Sequence, residues 1–146
     1  MRYQSFFAGA LLAGGFALAG CIQPSGGVKT FHANLTGLQE VPSVKTAATG
    51  QADVTLDTAT GIITWKVAIK NLSGPPVAVH IHGPAMPGAN AGVLVPFKVG
   101  EAPITGSAVL TLQQISDLTA GKYYVNVHTA QNKGGEIRGQ LQPIGK

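Results

Sequence analysis

The chain has 146 residues, of which 11% are charged, and it carries a formal net charge of +4 at pH 7. Its basic residues are scattered singly and only 6% of the chain is aromatic, which excludes a clustered basic surface for nucleic acid. A single cysteine, Cys21, excludes a disulfide framework.

The N-terminal segment has the features of an export signal. Arg2 supplies a positive charge, and the apolar run 6–19 is too short to span a membrane. The small residues before Cys21 resemble the lipobox of bacterial lipoproteins, in which the cysteine becomes lipidated. We therefore predict a signal peptide over 1–20 and a flexible tether over 21–29. An ordinary secretory signal with an incidental cysteine is the alternative.

Residue 22 bears on where such an anchor would lie. It is Ile22, and not the aspartate that resembles an inner-membrane retention signal. The sequence therefore predicts a chain held by its N-terminal lipid in the bacterial cell envelope, on the outer-membrane, periplasmic or cell-surface side. The membrane is the partner that this implies.

Beyond the tether, apolar and polar residues alternate over short runs that turn residues separate, which is typical of β-strands. Almost no helix is expected, so the predicted fold is all-β, an antiparallel Greek-key sandwich or barrel with one short helix. Pro96 favours an edge position for the strand that contains it. The predicted strands are 30–38, 49–57, 62–72, 77–83, 93–99, 106–112, 123–129 and 136–142, and the helix is 113–120.

One strand carries two histidines in phase. Valine and isoleucine recur at every second position of residues 77–83, which places His80 and His82 together on the opposite face. Alternate positions on a strand lie roughly 6.5–7 Å apart. That spacing suits two ligands of one metal ion, held without an ordering cost.

A third histidine ends a later strand with the same phase. In the run 123–129, His128 lies on the face opposite Tyr123 and its apolar neighbours. We therefore predict a metal site of His80, His82 and His128, with hydrogen-bonded histidines of a polar sheet face as the alternative. Glu136, Glu40 and His32 are candidate further ligands, although a solvated surface position is the favoured interpretation of His32.

Several separated motifs together resemble the chordin-domain (CHRD) family over about residues 30–142. They are L-T-G-L-Q-E-V-P-S-V, W-K-V-A-I-K-N-L, H-I-H-G-P-A, G-K-Y-Y-V-N-V-H-T and G-G-E-I-R-G-Q-L, in that order. The resemblance implies one domain, 30–143, with an immunoglobulin- or superoxide-dismutase-like fold. Some bacterial members of the family look like metal-dependent superoxide dismutases, and chordin itself binds growth factors.

A redox-active ion at the histidines would make superoxide dismutation the sharpest chemical hypothesis. Histidine nitrogens suit zinc, copper and iron, and we place copper or iron ahead of zinc. Arg138, with Lys133 nearby, is the candidate catalytic residue that draws the small anion in. A surface ion pair between Arg138 and Glu136 is the alternative. The chain lacks the longer histidine series and the disulfide of copper-zinc dismutases, which argues against a two-metal site.

The second hypothesis is a non-catalytic module that binds an envelope or matrix protein, whose identity the sequence leaves unknown. Such a module needs an exposed apolar patch. Tyr123, Tyr124 and the loop of Met86 are the candidates.

Overall fold

The computed structural model describes residues 26–145, and the predicted signal peptide and Cys21 lie outside this range. The described chain forms nine strands, one α-helix and one 3-10 helix. The strands are β1 Val28–Thr36, β2 Thr49–Asp57, β3 Ile62–Lys70, β4 Pro76–His82, β5 Val93–Pro96, β6 Ile104–Val109, β7 Tyr124–Thr129, β8 Ile137–Gln140 and β9 Gln142–Ile144. The helices are α1, Leu112–Thr119, and the 3-10 turn Gly37–Gln39. No helix in the described range is long and apolar enough to cross a membrane.

All nine strands belong to one antiparallel sheet. Its order is β5-β4-β7-β8-β1-β2-β3-β6, and β9 pairs with β1 beside β8. The inward face follows the alternation in the sequence: in β3, Ile63, Trp65 and Val67 are buried, while the residues between them are exposed. Because side chains on a strand alternate between faces, these residues form a core inside the curved sheet.

The two ends of the sheet approach each other, so the sheet is nearly closed into a barrel. Phe97, directly after β5, stacks on Trp65 of β3 with ring centroids 4.2 Å apart and planes 10° apart. Gly106 of β6 pairs with Trp65, and a β-carbon at this glycine would lie 2.4 Å from the indole. The glycine therefore leaves the space in which the indole seals the barrel.

The outer face of β7 and β8 is polar and also buried. Every residue of both strands is buried, because two loops cover this face. The loop 83–92 contacts it through Ala85, whose carbonyl accepts from Gln140 Nε2 at 2.9 Å. The segment after β1 contacts it through Glu40, whose carboxylate accepts from Asn126 Nδ2 at 3.4 Å.

The structure confirms the all-β prediction, the single α-helix and the edge position of the strand with Pro96. Thr111 and Gln114 cap the helix reciprocally, which explains why it begins at Leu112, one residue before the predicted start. β1 begins at Val28, so residues 28–29 of the predicted tether belong to the sheet. The 3-10 turn after β1 was not predicted.

Candidate metal centre

The pairing of β4 with β7 brings the three in-phase histidines together. Ala78 pairs with His128 and His80 pairs with Asn126, so the three rings share the covered outer face. One nitrogen from each of His80, His82 and His128 lies within 4.8 Å of the others. The closest pair is His80 Nδ1 and His128 Nε2, 3.3 Å apart. The geometry could therefore hold a metal ion.

Backbone carbonyls orient two of the three imidazoles. His82 Nδ1 lies 3.1 Å from the carbonyl oxygen of Ala91, and His128 Nδ1 lies 3.0 Å from that of Lys133. A carbonyl only accepts, so each Nδ1 is the protonated nitrogen and each Nε2 carries a lone pair. The Nε2 of His128 lies within hydrogen-bond distance of His80 Nδ1. Histidines that bind metals are usually oriented in this way, by a hydrogen bond from the ring nitrogen that does not bind the metal.

The lone pair on His82 is the observation that fits a metal best. His82 Nε2 is one of four buried side-chain atoms without a hydrogen-bond partner among the described residues. A buried nitrogen acceptor without a donor is unfavourable unless something binds there. Its neighbours are the nitrogens of two further imidazoles, and such a donor set suits copper, iron or zinc.

Burial and nearby positive charge favour the neutral, ligand form of His80 and His82. Burial lowers the pKa of His80, and the nearby charges of His128 and His82 lower it further. Burial also lowers the pKa of His82, against the hydrogen bond to Ala91. Because a lowered pKa favours the neutral imidazole, His80 and His82 each keep one unprotonated ring nitrogen at neutral pH.

His82 belongs to a stack of three side chains, with Tyr124 and Arg138. The imidazole lies parallel to the Tyr124 ring, with centroids 5.0 Å apart. On the β8 side, the Arg138 guanidinium carbon lies 3.4 Å from the centre of the same ring. β7 lies between β4 and β8, so Tyr124 lies between the other two side chains. The stack fixes the plane of the His82 ring.

The strands that carry this site match the sequence pattern of a known family. A family profile described as CHRD domain matches residues 31–141, which is well over half of the chain. The chain belongs to the CHRD-domain family. No curated protein and no solved structure matches it, so the function of this CHRD domain has to be argued from the site itself.

Arg138 of the CHRD domain does not lie at the surface. It is 1% exposed, and its guanidinium donates to the carbonyl of Ala89 at 2.7 Å and to Asn90 Oδ1 at 3.0 Å. The alternative of a surface ion pair with Glu136 is wrong, because both side chains are buried and neither ion pair of the described residues joins them. Arg138 instead ties the loop 83–92 to the sheet.

Glu136 is not part of the histidine group, because its carboxylate is bound elsewhere. It accepts hydrogen bonds from the hydroxyls of Thr46, Ser73 and Thr129 and from the backbone N–H of Ser73. Burial alone would raise its pKa, but these hydrogen bonds outweigh burial and lower the pKa to about 2. Glu136 is therefore a charged structural centre that joins three segments of the chain.

The other two candidate ligands also lie outside the histidine group. His32 Nδ1 lies 2.7 Å from Asp53 Oδ1 at the surface, and this hydrogen bond raises the pKa of His32. Asp53 is the cross-strand partner of His32 in β2. Glu40 is buried and contacts Asn126, as described above.

Glu40 and Asn126 form a pair that requires a proton. Besides the contact from Asn126 Nδ2, Glu40 Oε1 and Asn126 Oδ1 are both buried without partners among the described residues. Both atoms are acceptors when the carboxyl is ionised, and protonation of Glu40 provides a donor. Burial raises the pKa of Glu40 to about 7, against the opposing effects of Arg138 and Asn126.

This shift predicts how stability depends on pH. The pKa of Glu40 rises from 4.5 to about 7 on folding, so the folded chain holds a proton that the unfolded chain has lost. The free energy of unfolding should therefore fall by about 2.5 kcal/mol as the pH rises from 5 to 8. In the Glu40→Gln variant, the side-chain amide replaces the protonated carboxyl as the donor and does not titrate. This variant should therefore lack the decrease in stability. Denaturant unfolding at both pH values measures the difference, and parallel pH curves for the two proteins would contradict it.

Sequence reasoning missed most of the residues that support the site. Tyr124 lies four positions before His128 on the same face of β7, and that phase is a signal from which it could have been found. Asn90, Ala91 and Ser73 lie in loops and had no such signal. The sequence also presented Tyr123 and Tyr124 as candidates for an exposed patch, which is wrong because both are buried.

Proposed function

We propose that this CHRD domain binds one transition-metal ion, copper or iron ahead of zinc, through His80, His82 and His128. The observation that carries the proposal is the Nε2 of His82, which has no hydrogen-bond partner among residues 26–145 and is buried beside the nitrogens of two other imidazoles. Three protein ligands leave a fourth position for a small molecule, as in catalytic sites. His80 is only partly buried, so solvent reaches this side of the cluster.

Superoxide dismutation is the reaction that we propose for the loaded site. A bound copper or iron ion would supply a one-electron acceptor and donor. In the balanced reaction, two superoxide anions and two protons become one dioxygen and one hydrogen peroxide.

The histidine group contains no carboxylate, so its neutral ligands leave the charge of the ion uncompensated, and this favours an anionic substrate. Lys133, whose carbonyl orients His128, is exposed and can attract the anion by its charge. Arg138 adds positive charge nearby and acts by positioning Tyr124 and the loop 83–92.

The proposed place of this activity is the bacterial cell envelope, where lipid on Cys21 would anchor the chain on the outer-membrane, periplasmic or cell-surface side. The small residues that precede the cysteine support this proposal. For the alternative of a protein-binding module, Tyr123 and Tyr124 are not available at the surface, whereas Met86 is exposed.

Elemental analysis tests the metal site and a superoxide assay tests the chemistry. The full chain, incubated with copper or iron and then with a competing chelator, should retain about one ion, because three fixed ligands form one site. The His80→Ala/His82→Ala variant should retain none, and His32→Ala is the matched control. Equal metal in the wild type and the double variant would overturn the site. A metal-loaded wild type that consumes superoxide no faster than the double variant would overturn dismutation alone.

A further inference from the structure

The segment that precedes β1 enters the sheet at one end of the barrel, where it contacts the turn between β2 and β3. Gly27 N donates to the hydroxyl of Thr58 at 2.8 Å, and the N–H of Thr58 donates to the carbonyl of Gly27 at 2.9 Å. Gly26 lies against Ala59 in the same turn between β2 and β3. The polypeptide that leads back to Cys21 therefore starts beside this turn.

Exposed apolar side chains form a row across the same end. Val28 pairs with Asp57, and Ile62 pairs with Val109. The last pair between β2 and β3 is Leu56 with Ile63, so Asp57 and Ile62 come next to each other in the row. Directly paired residues on neighbouring strands have their β-carbons about 5 Å apart. The row thus runs over four adjacent strands, from β1 to β6.

The apolar members of this row are unusually exposed. Val28 is 69% exposed and Val109 is 71% exposed, whereas their neighbours Leu56 and Ile63 lie in the core. Leu112, three residues beyond Val109, is 86% exposed at the start of the helix. Leu110 N donates to the carbonyl of Gly61 at 2.9 Å, which holds the segment before the helix against β3. We call Val28, Ile62, Val109 and Leu112 the apolar end.

We propose that the apolar end rests on the lipid bilayer to which Cys21 is anchored. The inference depends on the proposed lipid anchor and not on the metal site. Gly26 lies five positions after Cys21, so the anchor holds the turn within at most about 18 Å of the lipid. At that distance the apolar end can reach the headgroup boundary, where apolar side chains are stabilised.

The charge of the apolar end indicates which lipid suffices. The carboxylate of Asp57 accepts from the backbone N–H of Ala59 at 2.8 Å and of Thr60 at 3.2 Å, so the turn satisfies it. Lys29, the residue after Val28, carries the opposite charge. Because the charges of Asp57 and Lys29 offset each other, contact does not require anionic lipid, and uncharged phosphatidylcholine is the appropriate probe.

The proposed orientation keeps the histidines away from the bilayer. Thr36, at the far end of β1, pairs with Arg138 behind the histidine cluster. Val28 lies eight residues earlier on the same strand, which corresponds to roughly 26 Å. The cluster therefore faces the aqueous side, where a small anion can reach it.

A fluorescence experiment on the full, lipidated chain tests this orientation. Val109→Cys is labelled with an environment-sensitive fluorophore and reconstituted in phosphatidylcholine vesicles at low protein content. Spin-labelled lipid should quench this probe at least roughly threefold more than a probe at Val77→Cys, because only the first lies at the headgroup boundary. Val77 is the matched control, since it is also exposed and lies at the opposite end of the barrel from the apolar end. Adding Leu112→Asp should reduce quenching at position 109 toward the control value.

Equal quenching at the two positions would overturn the proposal, as would a mass spectrum that shows no lipid on Cys21. Metal content is measured on the same preparations. A chain that binds metal without contacting lipid, or contacts lipid without binding metal, shows which of the two proposals has failed.

Discussion

Replacing His128 with alanine should lower the affinity for copper or iron at least about 100-fold. Loss of a group that only orients a ligand typically costs 10–100-fold in affinity, and this substitution removes a ligand itself. His128 is also the one histidine contributed by β7, so without it the donors come from a single strand. Competition with a chelator of known affinity measures the effect.

The control for His128→Ala is His32→Ala, which removes a histidine that is paired with Asp53 at the surface. It should bind the ion as the wild type does. If His128→Ala keeps the wild-type affinity, the ion is held elsewhere and the three-histidine site is wrong. Any superoxide consumption should fall together with metal occupancy. The described residues contain no other group of histidine, cysteine or carboxylate side chains that could hold the ion.

The second large effect is expected at Glu136. Glu136→Gln should lower the free energy of unfolding at pH 7 by about 3 kcal/mol, because the carboxylate pKa falls from 4.5 to about 2 on folding. The substitution keeps the size of the side chain but replaces one acceptor oxygen with a donor. That donor would face the hydroxyls of Ser73 and Thr129, which now donate to the carboxylate.

The pH dependence separates this effect from a general loss of packing. A lowered pKa contributes stability that is present above about pH 4.5 and is lost as the pH falls toward 2. Wild type should therefore lose stability over this window, while Glu136→Gln should lose about 3 kcal/mol less. Glu101→Gln, at an exposed carboxylate, is the control and should change stability by less than about 0.5 kcal/mol. A Glu136→Gln protein as stable as wild type at pH 7 would contradict the structural role.

The same residue shows what sequence patterns can and cannot predict. The phase of β8 correctly placed Arg138 and Gln140 on the face that carries Asn126, whereas Glu136 lies just before β8. The sequence suggested metal binding for Glu136 and an ion pair between it and Arg138. Neither interaction is present, because Thr46 and Ser73 come from distant segments to bind Glu136, and the loop 83–92 binds Arg138. These contacts depend on how loops fold over the sheet.

The amino-acid sequence by itself determined most of the strands, their inward faces and the common phase of His80, His82 and His128, although the predicted strand 136–142 is divided between β8 and β9. It could do so because a strand places alternate side chains on opposite faces, which is a local property of the backbone. Only the tertiary structure decided that β4 and β7 are neighbours, and so that His80 and His128, 48 positions apart, come within 3.3 Å. It also decided that the polar face is covered and that His82 Nε2 has no partner in the part of the chain that the structure describes. Strand order and loop packing depend on contacts between residues far apart in the chain, and no local pattern of residues specifies them.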